Sequence, residues 1–250
     1  MYNKNNIDEL NKTLEAKTAK EIIHYFGDKL SSSLALASSL GAEDQVLTYM
    51  VHDINPKIRI FVLDTERLNQ ETYDVMSNTQ EKYNLKYDVY FPNKDAVKAL
   101  VAEKGTESFY SSIENRKECC TIRKVEPLGR ALNNTIAWIT GLRRSQSPTR
   151  AGLKAVEWDE THNMIKLNPL YNWSEEEVWA FIKDNNIPYN ILHDQGYPSI
   201  GCAPCTRAIK KGDDIRAGRW WWEDPENKEC GLHFENGKLV KNTPTQIDRM

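Results

Sequence analysis

The sequence predicts an α/β fold, a parallel sheet flanked by helices, ending in a loop-rich C-terminal segment. Three observations carry this. Apolar strands alternate with amphipathic helical stretches from "SSSLALASSL" to "TIAWITGL". "KIRIFVLDT" is an almost continuous apolar run, as expected of a strand covered on both faces. "SSLGAED" joins a strand to a helix through a Ser/Gly turn. Sheets of this kind bind ligands beyond the carboxyl ends of their strands, so the loops after strands are where function belongs.

In chain order, residues 8–26 carry Leu10, Leu14, Ile22, Ile23 and Phe26 at helical spacing, an amphipathic region ahead of the core. "SSSLALASSLGAEDQVLTYMVHDI" runs from a small-residue strand into a helix bearing Val46, Leu47 and Met50. After "KIRIFVLDT", a helix is predicted over residues 67–83, then a strand in "LKYDVYF" and a helix near "DAVKALVAEK". The segment "NRKECCTIRKVEPLGRAL" reads as the opening of a helix, and "TIAWITGL" as the next strand. Beyond Arg150 a hairpin is predicted in "KAVEWDETHNMIKLNPL", then a helix opened by Ser174 and Glu177 at capping-box spacing. From Pro188 the chain is rich in turns yet holds three cysteines, as a functional segment lying over the sheet would. The expected organisation is an N-terminal helical region (1–27), a main domain (28–205) and a substrate-covering C-terminal segment (206–250).

Composition narrows the classes. The chain has 250 residues, 40% of them apolar and 28% charged, which suits a folded domain. A net charge of −3 disfavours a general nucleic-acid or anionic-lipid binder. No apolar run is long enough to span a membrane, and "MYNKNNIDELNK" lacks the order of a signal peptide, so a cytoplasmic protein is expected. In a reducing compartment its five cysteines should serve metal or redox chemistry in place of a disulfide framework.

The loop "SSLGAED" offers hydroxyls, backbone N–H groups and a helix N-terminus to an anion, with Ser38, Ser39 and Gly41 as the contacts. A plain Ser-rich connection is the competing reading. The loop has neither the G-x-x-x-x-G-K-[ST] pattern nor G-x-G-x-x-G. "LDT", residues Leu63, Asp64 and Thr65, sits where a base or ribose could lie, although Asp64 or Thr65 could equally cap a helix. In "GLRRSQSPTR", Arg143, Arg144 and Arg150 suit oxyanion recognition, against a solvated basic loop.

Cys202 and Cys205 form a C-x-x-C unit away from any strand-to-helix turn, which favours metal ligation over a redox pair. With Cys119 and Cys120 they make four thiolates, suited to zinc or an iron-sulfur cluster. Adjacent cysteines close poorly on one ion but can reach separate corners of a cubic cluster. Lys124 follows Cys120 by one helical turn and should share its face. Cys230 is left over, with Lys228 and His233 nearby to lower a thiol pKa from about 8.5 towards the nucleophilic form. An inert tail cysteine is the alternative.

Together "SSLGAEDQVL", "LDTERL", "ECCTIRKVEPL", "TGLRRSQSPTR", "GYPSIGCAPCT", "IRAGRWWW" and "KECGLH" resemble the iron-sulfur branch of the adenylyl-sulfate (APS) and PAPS reductase family, over most of the chain. The resemblance implies an adenine nucleotide alpha-hydrolase-like fold with a mobile C-terminal tail. It implies a 4Fe-4S cluster on Cys119, Cys120, Cys202 and Cys205, and Cys230 as the nucleophile that takes the sulfonyl group from APS and expels AMP. Reduced thioredoxin would then release sulfite from the S-sulfocysteine, a step of sulfate assimilation towards cysteine. It also implies Lys124, Arg144, Arg216, Arg219 and His233 around the phosphosulfate, and Ser39 with the backbone near Gly41 and Leu63 holding the nucleotide. Homo-oligomerisation is left open. Family members commonly carry glycine after "LDT", where this chain has Glu66. The alternatives are a PAPS or dual-specificity reductase, a zinc-stabilised module binding RNA or another anion, and an ATP-dependent tRNA thiolase of the same fold. The thiolase is disfavoured by the absence of S-G-G-x-D-S and the presence of "ECGLH".

Overall fold

The computed structural model describes residues 2–224. Two helices, α1 (Ile7–Leu14) and α2 (Ala19–Leu30), precede the sheet, the second opened by a Thr18/Glu21 capping box. Next come β1 (Leu34–Ser38), α3 (Ala42–Ile54), β2 (Arg59–Leu63), α4 (Gln70–Tyr83), β3 (Asp88–Tyr90) and α5 (Lys94–Lys104). The double-cysteine segment forms α6 (Ile113–Cys120), a π-helical turn over Thr121–Val125, and α7 (Glu126–Ala131). β4 (Ala137–Ile139), β5 (Val156–Asp159), β6 (Met164–Leu167) and α8 (Glu175–Asp184) complete the regular elements.

The sheet order is β3-β2-β1-β4-β6-β5. All neighbours run parallel except the β5–β6 hairpin at one edge. Alternation along the strands divides the interior into two apolar layers. Leu34, Leu36, Ile60, Val62, Ile139, Ile165 and Leu167 face one side, where residues of α1, α2, α3 and α8 cover them. Ala35, Phe61, Trp138 and Met164 face the other, against Leu128, Ala131 and Leu132. Both faces are therefore buried, which is why β2 could be read as a continuous apolar run. Among the described residues no helix is long and apolar enough to cross a membrane.

From β1 the chain builds outward through β2 to β3, then returns to place β4 on the opposite side of β1. A crevice opens at such a reversal, beyond the carboxyl ends of the strands.

The double-cysteine segment differs from its expected form. Cys119 and Cys120 end a helix and lead into a π turn, a wider backbone loop that breaks the 3.6-residue phase and recurs at functional sites.

Candidate active site

A cavity of about 280 Å³ occupies the crevice. Its floor is the strand ends, Ser38 of β1, Leu63 of β2 and Thr140 after β4. Ser39, Gly41, Thr65, Lys124, Arg143, Arg216 and Arg219 complete the part anticipated from the sequence.

The Ser/Gly loop is held by its own first-turn acid. Asp44 Oδ2 accepts the Ser39 N–H and hydroxyl, each at 2.6 Å. Ser38 Oγ accepts the Leu40 N–H at 3.2 Å, and Leu40 takes a left-handed φ of 62° with its side chain buried. Gly141 fits against the Asp44 carboxylate, and any Cβ there would collide with it. Burial pushes the Asp44 carboxyl up to about 6, against hydrogen bonds from Ser39 that pull it down. Ser39 thus lines the cavity while its donors serve Asp44, a division of labour not visible in the sequence.

Asp64 is absent from the lining. It pins the turn after β2, accepting the Glu66 N–H at 2.7 Å and the Tyr73 hydroxyl at 3.0 Å. Burial, and then Asp64 itself, push the Tyr73 hydroxyl up to about 12, so it remains a donor. Asp64 thus holds a turn and caps no helix, since α4 opens later at Asn69, whereas Thr65 reaches both the cavity and a cysteine: its hydroxyl lies 3.2 Å from Cys202 Sγ.

The arginines separate. Arg143 lines the cavity, but its Nε and Nη2 both lie 2.8 Å from Glu43 Oε1, so its charge is largely committed to the wall. Arg144 is not brought to the cavity. Its Nε donates to the Leu153 carbonyl at 2.7 Å and its guanidinium stacks 4.8 Å from the Tyr171 ring. The pair begins a tight 3-10 turn over Arg144–Gln146, and side chains one residue apart leave it on different sides. Arg150 instead reaches the cavity.

At one end of the cavity the four thiols gather. Cys202 and Cys205 are buried with Phe109 and Trp220, and Cys119, Cys120 and Trp222 pack against them. Backbone bonds fix this arrangement: Ala203 N–H donates to the Arg67 carbonyl at 2.8 Å and Trp220 N–H to the Cys205 carbonyl at 3.1 Å. A bridge between Thr206 and Arg219 aligns the "GRWWW" segment with the C-x-x-C loop. Burial pushes the Cys205 thiol up to about 12 and raises Cys119. At Cys202 burial also acts upward, yet Lys124, the Thr65 hydroxyl, Arg219 and Arg123 together bring it below its ordinary value. Among the described residues the cysteines form no disulfide, and no three of His, Cys, Asp or Glu are grouped to hold a single metal ion.

The surroundings of the thiols are rich in buried hydrogen-bond donors. Trp220 Nε1, Trp222 Nε1, Arg123 Nε and Arg219 Nε are all buried without a hydrogen-bond partner among the described residues. Unpaired buried donors are costly, and those on Trp220 and Trp222, packed with the cysteines, fit a neighbouring group that carries its own acceptors. Cys230 and His233 lie outside the described residues.

A profile of the phosphoadenosine phosphosulfate reductase domain matches residues 33–208, from the start of β1 past the second cysteine pair. The chain belongs to this reductase family. An adenosine 5'-phosphosulfate reductase of Allochromatium vinosum is 55% identical over 201 residues, covering 80% of this chain and 78% of the relative. One from Neisseria meningitidis serogroup A is 46% identical over 220 residues, covering 88% and 90%. A crystal structure of the phosphoadenylyl-sulfate (PAPS) reductase of Candida auris in complex with phosphate superposes with a TM-score of 0.72 at 28% identity, covering 84% of this chain and 98% of that one. The chain is thus an enzyme with the fold read from its sequence.

In this reductase some cavity residues were not singled out from the sequence. Gln146 donates to Glu43 Oε1 at 2.9 Å, and Trp179 meets His193 edge to face with ring centroids 5.1 Å apart. Burial lowers the His193 pKa, holding the ring neutral in the cavity wall. Only the fold brings α8 and the segment after it to the strand ends.

Proposed function

We propose that the protein reduces adenosine 5′-phosphosulfate to sulfite and AMP with reduced thioredoxin as donor, through an S-sulfocysteine on Cys230. The observation that carries this is a shared cationic boundary: Lys124 and Arg219 line the nucleotide-sized cavity and also bear electrostatically on Cys202. An anionic substrate whose reacting end points towards the thiols would meet both charges there.

Cys119, Cys120, Cys202 and Cys205 are the residues that would hold a 4Fe-4S cluster, consistent with the orphaned donors of Trp220 and Trp222 packed with them. When bound, the cluster supplies fixed charge that organises the substrate end of the site, while the reducing electrons come from thiols. The sheet ends near Ser38, Ser39, Gly41, Leu63 and Thr65 receive the adenosine. Lys124, Arg216 and Arg219 neutralise the phosphosulfate, with Arg143 keeping the wall beside Glu43 in place. Cationic groups at the transferring sulfonyl are worth most when preorganised in a site shielded from water.

In the reaction itself the Cys230 thiolate attacks the sulfonyl sulfur, the S–O bond to the phosphate breaks, and AMP leaves with the electron pair. A thioredoxin thiolate next attacks Cys230 Sγ, freeing sulfite and leaving a mixed disulfide that the second thioredoxin thiol resolves. His233 is placed beside this chemistry by the resemblance alone. Residues 28–205 would then form the reductase domain and 206–250 the segment carrying the attacking thiol, in a cytoplasmic enzyme.

Cys230→Ser tests the step. The variant should keep its iron and bind APS normally, yet lose thioredoxin-dependent turnover and the sulfite adduct detected by intact mass. Normal sulfite production would refute the assignment.

A further inference from the structure

Glu66 occupies a backbone conformation that side chains rarely tolerate, with φ at 59°. Two contacts hold it there. Its N–H donates to Asp64 Oδ1 at 2.7 Å, and its carboxylate accepts from Arg123 Nη1 at 3.2 Å. That same nitrogen donates to the Thr65 carbonyl at 2.6 Å. The Arg123 side chain is only 5% exposed, whereas that of Glu66 is 48% exposed, so the acid reaches inward from the surface to a buried cation.

The turn that carries Glu66 is tied to the cysteine site on both sides. Ahead of it, the Thr65 hydroxyl touches Cys202 Sγ at 3.2 Å. Behind it, the Arg67 carbonyl accepts the Ala203 N–H at 2.8 Å. Arg123 comes from the opposite direction, on the π turn directly after Cys119 and Cys120, and lies against the Cys119 thiol. The Glu66–Arg123 pair is therefore where the loop facing the C-x-x-C pair and the helix bearing the adjacent cysteines are joined by charge.

We infer that Glu66 is a positioning residue that clamps Arg123 onto the Thr65 carbonyl and so keeps the two cysteine pairs in register across the end of the cavity. Glycine at this position would relieve the left-handed backbone but remove the clamp, so the strain is retained for the contact it permits. The inference rests on the cluster reading only for its effect on iron; the clamp itself is a property of the polypeptide.

Two readouts keep these separate. Amide exchange of the full-length, iron-free protein follows the Ala203 N–H and residues 64–67. Chelator-driven bleaching of the anaerobically prepared brown protein follows the cluster. In Glu66→Gly both rates should rise about two- to fivefold, the range expected of one partly exposed ion pair. Glu66→Gln, which keeps the side chain but not the charge, should also be faster than wild type. In an Arg123→Met background, itself faster, Glu66→Gly should add nothing further, since coupled residues fail to add. Unchanged exchange at Ala203 in Glu66→Gly, or an equal increment in the Arg123→Met background, would overturn the clamp. A colourless wild-type protein without iron would instead refute the cluster reading, leaving the exchange measurement to decide the clamp.

Discussion

Asp44 shows how a single residue can organise a cavity loop at a cost in stability. Its buried carboxylate gathers the Ser39 N–H and hydroxyl, but desolvation lifts its pKa from the model-peptide value of 3.8 to about 6. A carboxyl raised in the folded state contributes stability that is complete below its unfolded pKa and lost as pH rises through the folded one. Relative to Asp44→Asn, the wild type should lose roughly 3 kcal/mol between pH 4 and pH 8. Urea unfolding of both proteins across that range measures this, and parallel profiles would contradict a buried titrating carboxyl. The same residue marks a limit of sequence reading. Ser38, Ser39 and Gly41 were found from their place between strand and helix, but nothing local says that Asp44 claims the donors of Ser39. Arg143 and Arg144 look interchangeable in "GLRRSQ", and only the course of the turn sends one to Glu43 and the other to Leu153.

Among the elements, α6 and its π turn do most to assemble the site. Arg116 of α6 makes a bidentate pair with Glu223, Nε to Oε1 at 2.9 Å and Nη2 to Oε2 at 2.7 Å, with both side chains almost fully buried. Its guanidinium also lies over the Trp220 ring at 4.6 Å. The pair fastens the tryptophan segment onto the cysteine helix, so removing Glu223 takes a bidentate carboxylate away from a buried charge. Glu223→Ala should cost about 3–5 kcal/mol by this reasoning. Denaturant melts of the iron-free protein measure it, and a loss under about 1 kcal/mol would mean that water reaches the pair. Elements with local chemistry were legible: the Ser174/Glu177 capping box forms as its spacing suggests, with Ser174 Oγ accepting the Glu177 N–H at 3.1 Å. The π turn was not, because its i,i+5 bonding leaves no residue preference as clear as a proline or glycine does. Strand β3 is shorter than "LKYDVYF" suggests. Pro92, lacking an N–H, limits only its C-terminal end, and the loss of residues 85–87 has no such local cause.

At the scale of the whole molecule, the reversal of strand order around β1 is what converts scattered motifs into one cavity. Loops after β1, β2 and β4 meet there, and the irregular segment after Pro188 crosses it to bring the second cysteine pair to the first. The parallel sheet and its buried faces were readable from hydrophobic patterning, because both layers must be apolar. The contributions of Trp179 and His193 were not, since they depend on distant elements closing over the strand ends. Thioredoxin-dependent sulfite release, measured anaerobically with APS and with PAPS in parallel, tests the assignment most directly. Sulfite should form efficiently from APS and far more slowly from PAPS; equal or greater efficiency with PAPS would contradict it.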